Sequence, residues 1–147
     1  MYKNILVMTD FSEDSNYAAQ VACEMAKKFE ANLYILHVAH ISGDFTILLD
    51  EHEYEDIKRR VDESIKKELS EMIKNVPCLK DIKYKHIVRR GIPYEEGLKE
   101  VKSGKYDLLV VGSHGKSNVT TFFYGSTTAK LTRRSPISVH MTRLKKR

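Results

Sequence analysis

The sequence has little of several features that mark particular classes of protein. Its two cysteines, Cys23 and Cys78, are too few for a disulfide framework, and neither lies in a Cys-x-x-Cys pair. We interpret Cys23 as a small buried residue on the apolar face of a helix, and Cys78 as a loop residue after Pro77. No apolar run approaches the roughly 18 residues of a membrane span. The apolar stretch after Met1 lacks the small-residue cleavage site of a signal peptide, so we expect a cytoplasmic protein with no membrane partner.

A broad excess of positive charge is also missing from most of the chain. The formal net charge is +5, but Arg143, Lys145, Lys146 and Arg147 supply four of these charges and leave the rest nearly neutral. A nucleic-acid-binding domain usually carries a wide basic surface that follows the phosphates. We therefore expect no nucleic-acid partner and interpret the basic tail as a solvated end.

Apolar residues change their spacing repeatedly along the chain, between the runs typical of strands and the longer period typical of helices. Strands are predicted at residues 5–8, 32–38, 82–88, 107–111 and 137–141. Helices are predicted at residues 18–29, at 54–76, from Pro93 to include Val101, and at about 127–134, with an irregular stretch at 40–53. The first and fourth strands are continuously apolar, which indicates burial on both faces.

Strands and helices that alternate in this way form a parallel sheet with helices on both faces. The most apolar strands should be central, and the third and fifth strands, which alternate with polar residues, should lie near the edges. A single α/β domain over residues 1–147 is therefore predicted, with one doubly wound five-stranded parallel sheet of order 3-2-1-4-5. Such sheets bind ligands beyond the carboxyl ends of the strands where the winding reverses, here between the first and fourth strands.

Two familiar phosphate-binding motifs are absent from this edge. Gly115-Lys116-Ser117 resembles the end of a P-loop, but Val110 stands where the first glycine of that motif is required. A Gly-x-Gly-x-x-Gly fingerprint is missing as well, because no glycine follows the first strand. Neither a P-loop nor a dinucleotide loop is therefore predicted.

A differently spaced glycine pattern occupies the edge: Gly112 and Gly115 are followed, after nine residues, by Gly125 and Ser126. Gly112 ends a buried strand, where a missing Cβ would let the backbone approach a ligand, and Gly115 permits a turn. Gly125 precedes a helix start whose free N–H groups, dipole and hydroxyls form an anion site. Simpler roles stay open, with Gly112 as a strand terminator and Ser126 or Thr127 as an ordinary N-cap.

The spaced pattern and its flanks resemble the ATP-binding branch of the universal stress protein family, and the resemblance covers the whole chain. The pattern of this branch is Gly-x-x-Gly, nine residues, then Gly followed by Ser or Thr. The flanking stretches that resemble the family are NILVMTDFSEDSNYAAQVACEMAKKF, ANLYILHV, RGIPYEEGLKE and YDLLVVGSHGKSN. The resemblance implies a Rossmann-like fold of the adenine nucleotide alpha hydrolase type and an ATP-binding protein of the stress response.

The resemblance also implies which residues bind the adenine nucleotide. Asp10, after Thr9 at the end of the first strand, would lie near the ribose and the metal-bound phosphates, and Val38 would line the adenine pocket. The residues that would surround the ribose and phosphates are Gly112, Ser113, His114, Gly115, Gly125, Ser126, Thr127 and Thr128. Mg²⁺ or Mn²⁺ would accompany the ATP and be held mainly through the phosphates. No catalytic residue and no metal-ligand set is predicted from the protein itself.

Two side chains at this edge keep more than one interpretation. Asp10 could instead cap the loop, and His114 could face either a phosphate or the solvent. A phospho-accepting receiver domain is not supported, because the third strand ends in Val88-Arg89-Arg90-Gly91 and has no acceptor aspartate.

The resemblance further implies a homodimer that pairs through the last strand. Met8 stands where the family often has proline, and Ser138 and His140 make the last strand less apolar than in the family, which leaves the dimer geometry open. We predict an ATP-binding switch with slow or partner-dependent hydrolysis and an unidentified protein partner, because no arginine is evidently placed to assist. The alternatives are a nucleotide-free dimeric interaction module of the same fold and an efficient stand-alone ATPase.

Overall fold

Five parallel strands form one sheet in the order β3-β2-β1-β4-β5, which confirms the predicted order. The computed structural model describes residues 1–40, 47–114 and 125–145. The strands are β1 (Asn4–Thr9), β2 (Asn32–Ala39), β3 (Tyr84–Arg90), β4 (Leu108–Gly112) and β5 (Ser138–Thr142). The helices are α1 (Glu13–Phe29), α2 (Glu51–Asn75), α3 (Pro93–Val101) and α4 (Ser126–Arg134), and a 3₁₀ helix (Pro77–Lys80) follows α2.

Helices cover both faces of the sheet, as the alternating pattern predicts. Successive side chains of a strand point to opposite faces, so Ile5 and Val7 of β1 pack toward α1, whereas Leu6 packs toward α3 and α4. All three side chains are fully buried. The central position of β1, between β2 and β4, explains why its sequence is continuously apolar.

Helix α2 begins earlier than its apolar period predicts, at Glu51 instead of Tyr54. Asp50 accepts a hydrogen bond from the Glu53 N–H at 2.8 Å, and the Glu53 carboxylate accepts one from the Asp50 N–H at 3.0 Å. This capping box places the end of the predicted irregular stretch inside the helix. Residues 41–46 of that stretch lie outside the described residues.

The start of β4 shows why the predicted strand ends are displaced by a residue or two. Asp107, predicted as the first strand residue, instead accepts hydrogen bonds from the backbone N–H groups of Lys3 and Asn4, both at 2.8 Å. The carboxylate thereby ties the start of β1 to the start of β4, and regular pairing begins at Leu108. Strands β3 and β5 likewise begin two residues and one residue later than predicted.

A disulfide joins Cys23 of α1 to Cys78 of the 3₁₀ helix, so the interpretation of Cys78 as a loop residue is wrong and the bond between the two cysteines was not predicted. Burial of Cys23 is confirmed, since it is 0% exposed. The two residues are 55 positions apart in sequence and 6.1 Å apart between Cα atoms. Only the packing of the 3₁₀ helix against α1 brings them together, and no local spacing signals it.

None of the helices within the described ranges combines the length and apolar character needed to cross a bilayer.

Candidate functional site

A cavity of about 540 Å³ opens at the carboxyl ends of β1 and β4, where the winding of the sheet reverses. Nine of the eleven residues predicted to bind a nucleotide line it: Thr9, Asp10, Val38, Gly112, His114, Gly125, Ser126, Thr127 and Thr128. Ser113 is 1% exposed and lies behind the wall, and Gly115 is outside the described residues. The cavity therefore collects residues from the ends of three strands and the start of α4.

The two ends of the spaced glycine pattern are hydrogen-bonded to each other. The Gly125 N–H donates to the Ser113 carbonyl at 2.9 Å, and the Thr128 hydroxyl donates to the Gly112 carbonyl at 2.7 Å. These bonds fix the first turn of α4 beside the end of β4. The structure thus joins two parts of the sequence that lie more than ten residues apart into one side of the cavity.

The first turn of α4 differs electrostatically from those of the other helices. Its N-cap is Gly125, which offers no side-chain acceptor, and its first turn contains no acidic residue. By contrast, Ser12 caps α1 and Asp50 caps α2, and both helices carry acids in the first turn. Because the first N–H groups of a helix lack intrahelical partners and lie at the positive end of its dipole, α4 presents an anion-binding start toward the cavity.

The packing of α1 gives Gly112 a second reason to lack a side chain, beside the ligand approach predicted from the sequence. A Cβ built at this position would lie 3.1 Å from the carbonyl carbon and oxygen of Asp14 in α1. The side of Gly112 where a side chain would project is thus filled by the backbone of α1. The glycine allows the start of α1 to approach β4, and this packing shapes the cavity wall.

The loop between β1 and α1 is held by its own polar side chains. The buried Thr9 hydroxyl lies 3.0 Å from the Ser15 hydroxyl and accepts a hydrogen bond from the Phe11 N–H at 3.0 Å. Asp10 Oδ1 accepts from the Ser12 N–H at 3.0 Å, so the loop-capping role considered for Asp10 is present. Phe11 adopts the left-handed conformation with φ of 63°, which is unusual for a bulky residue. These contacts keep Asp10 on the cavity wall.

His114 lies on the same wall, between a hydroxyl and a carboxylate. Its Nδ1 is 3.0 Å from the Ser113 hydroxyl and 3.6 Å from Asp14 Oδ2. Its side chain is 26% exposed, so the imidazole is partly shielded while still bordering the cavity. Ser113 acts on the site by positioning this ring.

Several residues of the wall were not predicted as binding residues, and they come from six different elements or their flanks. They are Met8, Ser15, His40, Pro93, Val111 and Leu131. Met8 lies against α3 at Gly97, where an added Cβ would be 2.8 Å from the Met8 sulfur. The sequence shows Met8 as a departure from the family pattern, but nothing in it pairs positions 8 and 97.

No group of three or more His, Cys, Asp or Glu side chains could hold a metal ion within residues 1–40, 47–114 and 125–145. Asp10 is the one carboxylate on the described wall of the cavity. A divalent cation there would need most of its ligands from water or from a bound phosphate.

Comparison with known proteins gives matches over nearly the whole chain. The model of the universal stress protein family matches residues 1–143. Universal stress protein MJ0577 of Methanocaldococcus jannaschii is 31% identical over 154 aligned residues, which cover 92% of this chain and 91% of that protein. The solved structure of universal stress protein UspA from Lactobacillus plantarum has a TM-score of 0.80 at 25% identity and covers 97% of this chain and 98% of its own.

A second similar solved structure contains a ligand. It is a universal stress protein in complex with cAMP, with a TM-score of 0.70 and 24% identity, covering 96% of this chain and 97% of its own. At 24% identity, this similarity shows a shared fold and nothing about the ligand of this chain.

Proposed function

The chain belongs to the universal stress protein family, and we propose that it is a cytoplasmic ATP-binding signalling protein of the stress response. In this proposal the nucleotide acts as a switch, hydrolysis is slow or depends on a protein partner, and the protein works as a homodimer. The observation that supports ATP binding most directly is the pair of hydrogen bonds that hold the uncapped start of α4 beside β4. The cAMP bound to a protein of similar fold supports an adenine nucleotide as the ligand.

The described wall suits a nucleotide in both size and chemistry. The volume of the cavity, about 540 Å³, is within the range of small-molecule sites, roughly 300–1,000 Å³. Met8, Val38 and Val111 supply apolar surface for a base, while the first turn of α4 supplies N–H groups and hydroxyls for phosphates. An apolar region and an anion site thus occupy one cavity.

The carboxylate of Asp10 would favour a cation at the site. Its carboxylate borders the cavity that would hold the phosphates, and like charges at short range repel one another. Mg²⁺ or Mn²⁺ bound to the phosphates would turn this repulsion into an attraction, with Asp10 acting directly or through water. We therefore propose that ATP binds as its metal complex.

The composition of the described wall supports the proposal of slow hydrolysis. No lysine or arginine lines the described part of the cavity, so nothing there neutralises charge that develops on a transferred phosphoryl group. Asp10 and His114 are the titratable side chains that we propose as candidates to orient the attacking water molecule. The same scarcity of cations favours the alternative, a nucleotide-free dimeric interaction module, and the affinity for Mg-ATP distinguishes the two.

Titration calorimetry with Mg-ATP tests the proposal, using Thr127→Glu as the decisive variant. A glutamate in the first turn of α4 should stabilise the helix by about 0.3–1 kcal/mol through its dipole. The same carboxylate should repel the phosphates and weaken ATP binding at least about tenfold. Thr132→Glu is the matched control, because Thr132 is an exposed threonine of the same helix, one turn beyond Thr128, and should leave binding unchanged.

Three results would contradict the proposal. Wild-type protein that binds no Mg-ATP at millimolar nucleotide would favour the interaction module. Equal affinities of Thr127→Glu and wild type for Mg-ATP would show that α4 is not part of the phosphate site. Equal ATP binding with and without a chelator would show that no cation is needed.

A further inference from the structure

The end of the sheet opposite the nucleotide cavity, here called the amino-end face, is crowded with positive charge. Every described helix ends there, and the cations near their last turns, all exposed, include Lys27, Lys28, Lys74, Lys80, Arg133 and Arg134. Five more exposed lysines lie where the strands begin or just before them: Lys3, Lys83, Lys85, Lys102 and Lys105. The exposed acids of the same face are four, namely Glu30, Glu71, Asp81 and Asp107.

Helix dipoles explain only part of this pattern. Cations near a helix C-terminus stabilise the helix, which accounts for the first group. Lys102 is the C-cap residue of α3 and belongs with that first group. The other four, Lys3, Lys83, Lys85 and Lys105, lie before or at the starts of strands, and none of their ammonium groups forms an ion pair with a described carboxylate. Lys105 instead lies 4.7 Å from the centre of the Tyr34 ring. Lys3 and Lys105 lie near enough to attract the carboxylates of Asp107 and Glu100. The helix ends and these carboxylates therefore leave Lys83 and Lys85 unexplained.

The opposite end of the molecule carries charges of both signs. Arg89 and Arg90 end β3, and Arg143 and Lys145 follow β5 at the same end. The first turns of α1, α2 and α3 contribute Glu13, Asp14, Glu51, Glu53, Glu95 and Glu96. The chain outside its basic tail is nearly neutral on average, but exposed lysines are concentrated at the amino-end face. The net-charge argument from the sequence does not detect this concentration, because it sums over the whole chain.

A second cavity, of about 530 Å³, indents the amino-end face between the starts of β2 and β3. Its walls include Tyr34, Lys83, Tyr84 and Lys85. Lys83 and Lys85 are exposed at this cavity, so its border adds positive charge to the amino-end face.

We propose that the amino-end face binds the surface of an anionic lipid bilayer. Lysine dominates the face, and lysines attract anionic lipid without requiring the fixed bidentate geometry of arginine. A protein interface would need an apolar centre, yet Met1 is the one large apolar residue strongly exposed at the described part of this face. Single-stranded nucleic acid would need open aromatic rings, but Tyr34 is 8% exposed, packs edge-to-face on Tyr106 and is covered by Lys105.

The position of this face would also orient the bound protein. An anionic surface attracts the amino-end face, which lies opposite the nucleotide cavity, so the cavity would point toward the solvent. Membrane binding and nucleotide binding are therefore compatible, and this inference does not depend on the proposed function. It replaces the expectation from the sequence that no membrane is involved.

Vesicle co-sedimentation of the full chain tests the inference. Vesicles with phosphatidylserine as about one third of the lipid should bind the protein at about 0.05 M salt and lose it at about 0.5 M salt, whereas neutral phosphatidylcholine vesicles should not bind it. Substituting Lys80, Lys83, Lys85 and Lys102 together by glutamine should reduce binding by about fivefold per lysine, several hundredfold in all. A control with Arg59, Arg60, Lys66 and Lys67 of α2 changed to glutamine removes the same charge elsewhere and should bind nearly as wild type.

Each other outcome overturns the inference. Wild-type protein that stays in solution with anionic vesicles at low salt excludes a bilayer partner. Equal losses in the two quadruple variants would show that only net charge matters. Tighter binding to single-stranded RNA than to vesicles at the same salt would assign the face to nucleic acid. Unchanged urea unfolding and Mg-ATP affinity of both variants establish that the fold is intact.

Discussion

Gly112 illustrates how one residue can serve a site through packing. Its missing side chain leaves room for the backbone of Asp14, at 3.1 Å from where a Cβ would be. Gly112→Ala should therefore lower the free energy of unfolding by about 1–3 kcal/mol, as overpacking does in well-packed regions. Urea unfolding followed by circular dichroism measures this change.

The same variant separates two roles of the glycine. If Gly112 serves mainly to admit α1, the folded fraction of Gly112→Ala should bind Mg-ATP with an affinity near that of wild type. Unchanged stability combined with lost binding would instead restore the interpretation that the ligand itself approaches Gly112.

Glu100 is a buried carboxylate whose charge is compensated by two neighbours. It is 7% exposed, and it accepts hydrogen bonds from the Tyr106 hydroxyl at 2.5 Å and from Arg89 Nε at 2.7 Å. Burial raises the pKa of Glu100, but the hydrogen bonds from Tyr106 and Arg89 outweigh it and hold the pKa below its ordinary value. Burial and Glu100 together raise the pKa of Tyr106, which therefore remains a protonated donor.

This depressed pKa predicts a loss of stability in acid. Because the folded pKa lies below the unfolded one, the contribution of Glu100 is complete above about pH 4.5 and disappears as the pH falls through the folded pKa. Glu100→Gln should cost about 1.5–3 kcal/mol at neutral pH and flatten the acid limb of the unfolding free energy. Urea unfolding at a series of pH values checks both effects.

Glu95→Gln is the control for this prediction, since Glu95 is an exposed carboxylate on the same helix. A Glu100→Gln protein with the same acid limb as wild type would show that other carboxylates dominate the acid dependence.

The elements that the sequence predicts best are those with a strong local signal. Continuous apolar runs give the central strands, and the proline at position 93 gives the start of α3, which the structure confirms. The early start of α2 was missed although Asp50 and Glu53 carry the capping signal, because the apolar period begins only at Tyr54.

The same distinction applies to the candidate site: some of its contacts have a signal in the local sequence, and others do not. The glycine pattern predicted two candidate phosphate-binding segments at the boundaries of β4 and α4, and the structure joins these boundaries by hydrogen bonds. The contact of Met8 with Gly97 and the approach of Asp14 to Gly112 join segments far apart in sequence. Such contacts depend on how helices pack across the sheet, and no spacing along the chain encodes them.

The disulfide ties α1 to the 3₁₀ helix and predicts a redox effect on stability. Cys23 and Cys78 close a segment of 55 residues, for which restriction of the unfolded chain is worth about 4 kcal/mol at most. Breaking the bond in denaturant with a reductant should lower the free energy of unfolding by about 2–4 kcal/mol. Urea unfolding with and without reductant measures the difference.

A variant with Cys23 and Cys78 both changed to alanine should unfold identically with and without the reductant. A wild-type protein that shows the same insensitivity, with two free thiols by chemical titration, would mean that the bond does not form in solution.

At the scale of the whole molecule, the outer edge of β5 bears on assembly. Among the described strands, β5 pairs only with β4, and its Ser138 and His140 side chains are exposed on one face. An edge strand without a partner invites pairing with another chain, and a two-fold axis would make that pairing antiparallel. We predict a homodimer, with sedimentation at twice the 17.0 kDa of the chain.

His140→Asp tests whether β5 forms that interface. Residues near a two-fold axis lie opposite their own copies or close to them, so an aspartate at position 140 places like charges together across the paired strands. We expect sedimentation equilibrium to show at least about fivefold weaker association, which is about 1 kcal/mol of repulsion. His52→Asp, the same substitution at an exposed histidine of α2, should leave the dimer unchanged. A wild-type monomer at micromolar concentration would refute dimerisation, and a His140→Asp dimer as tight as wild type would place the interface away from β5.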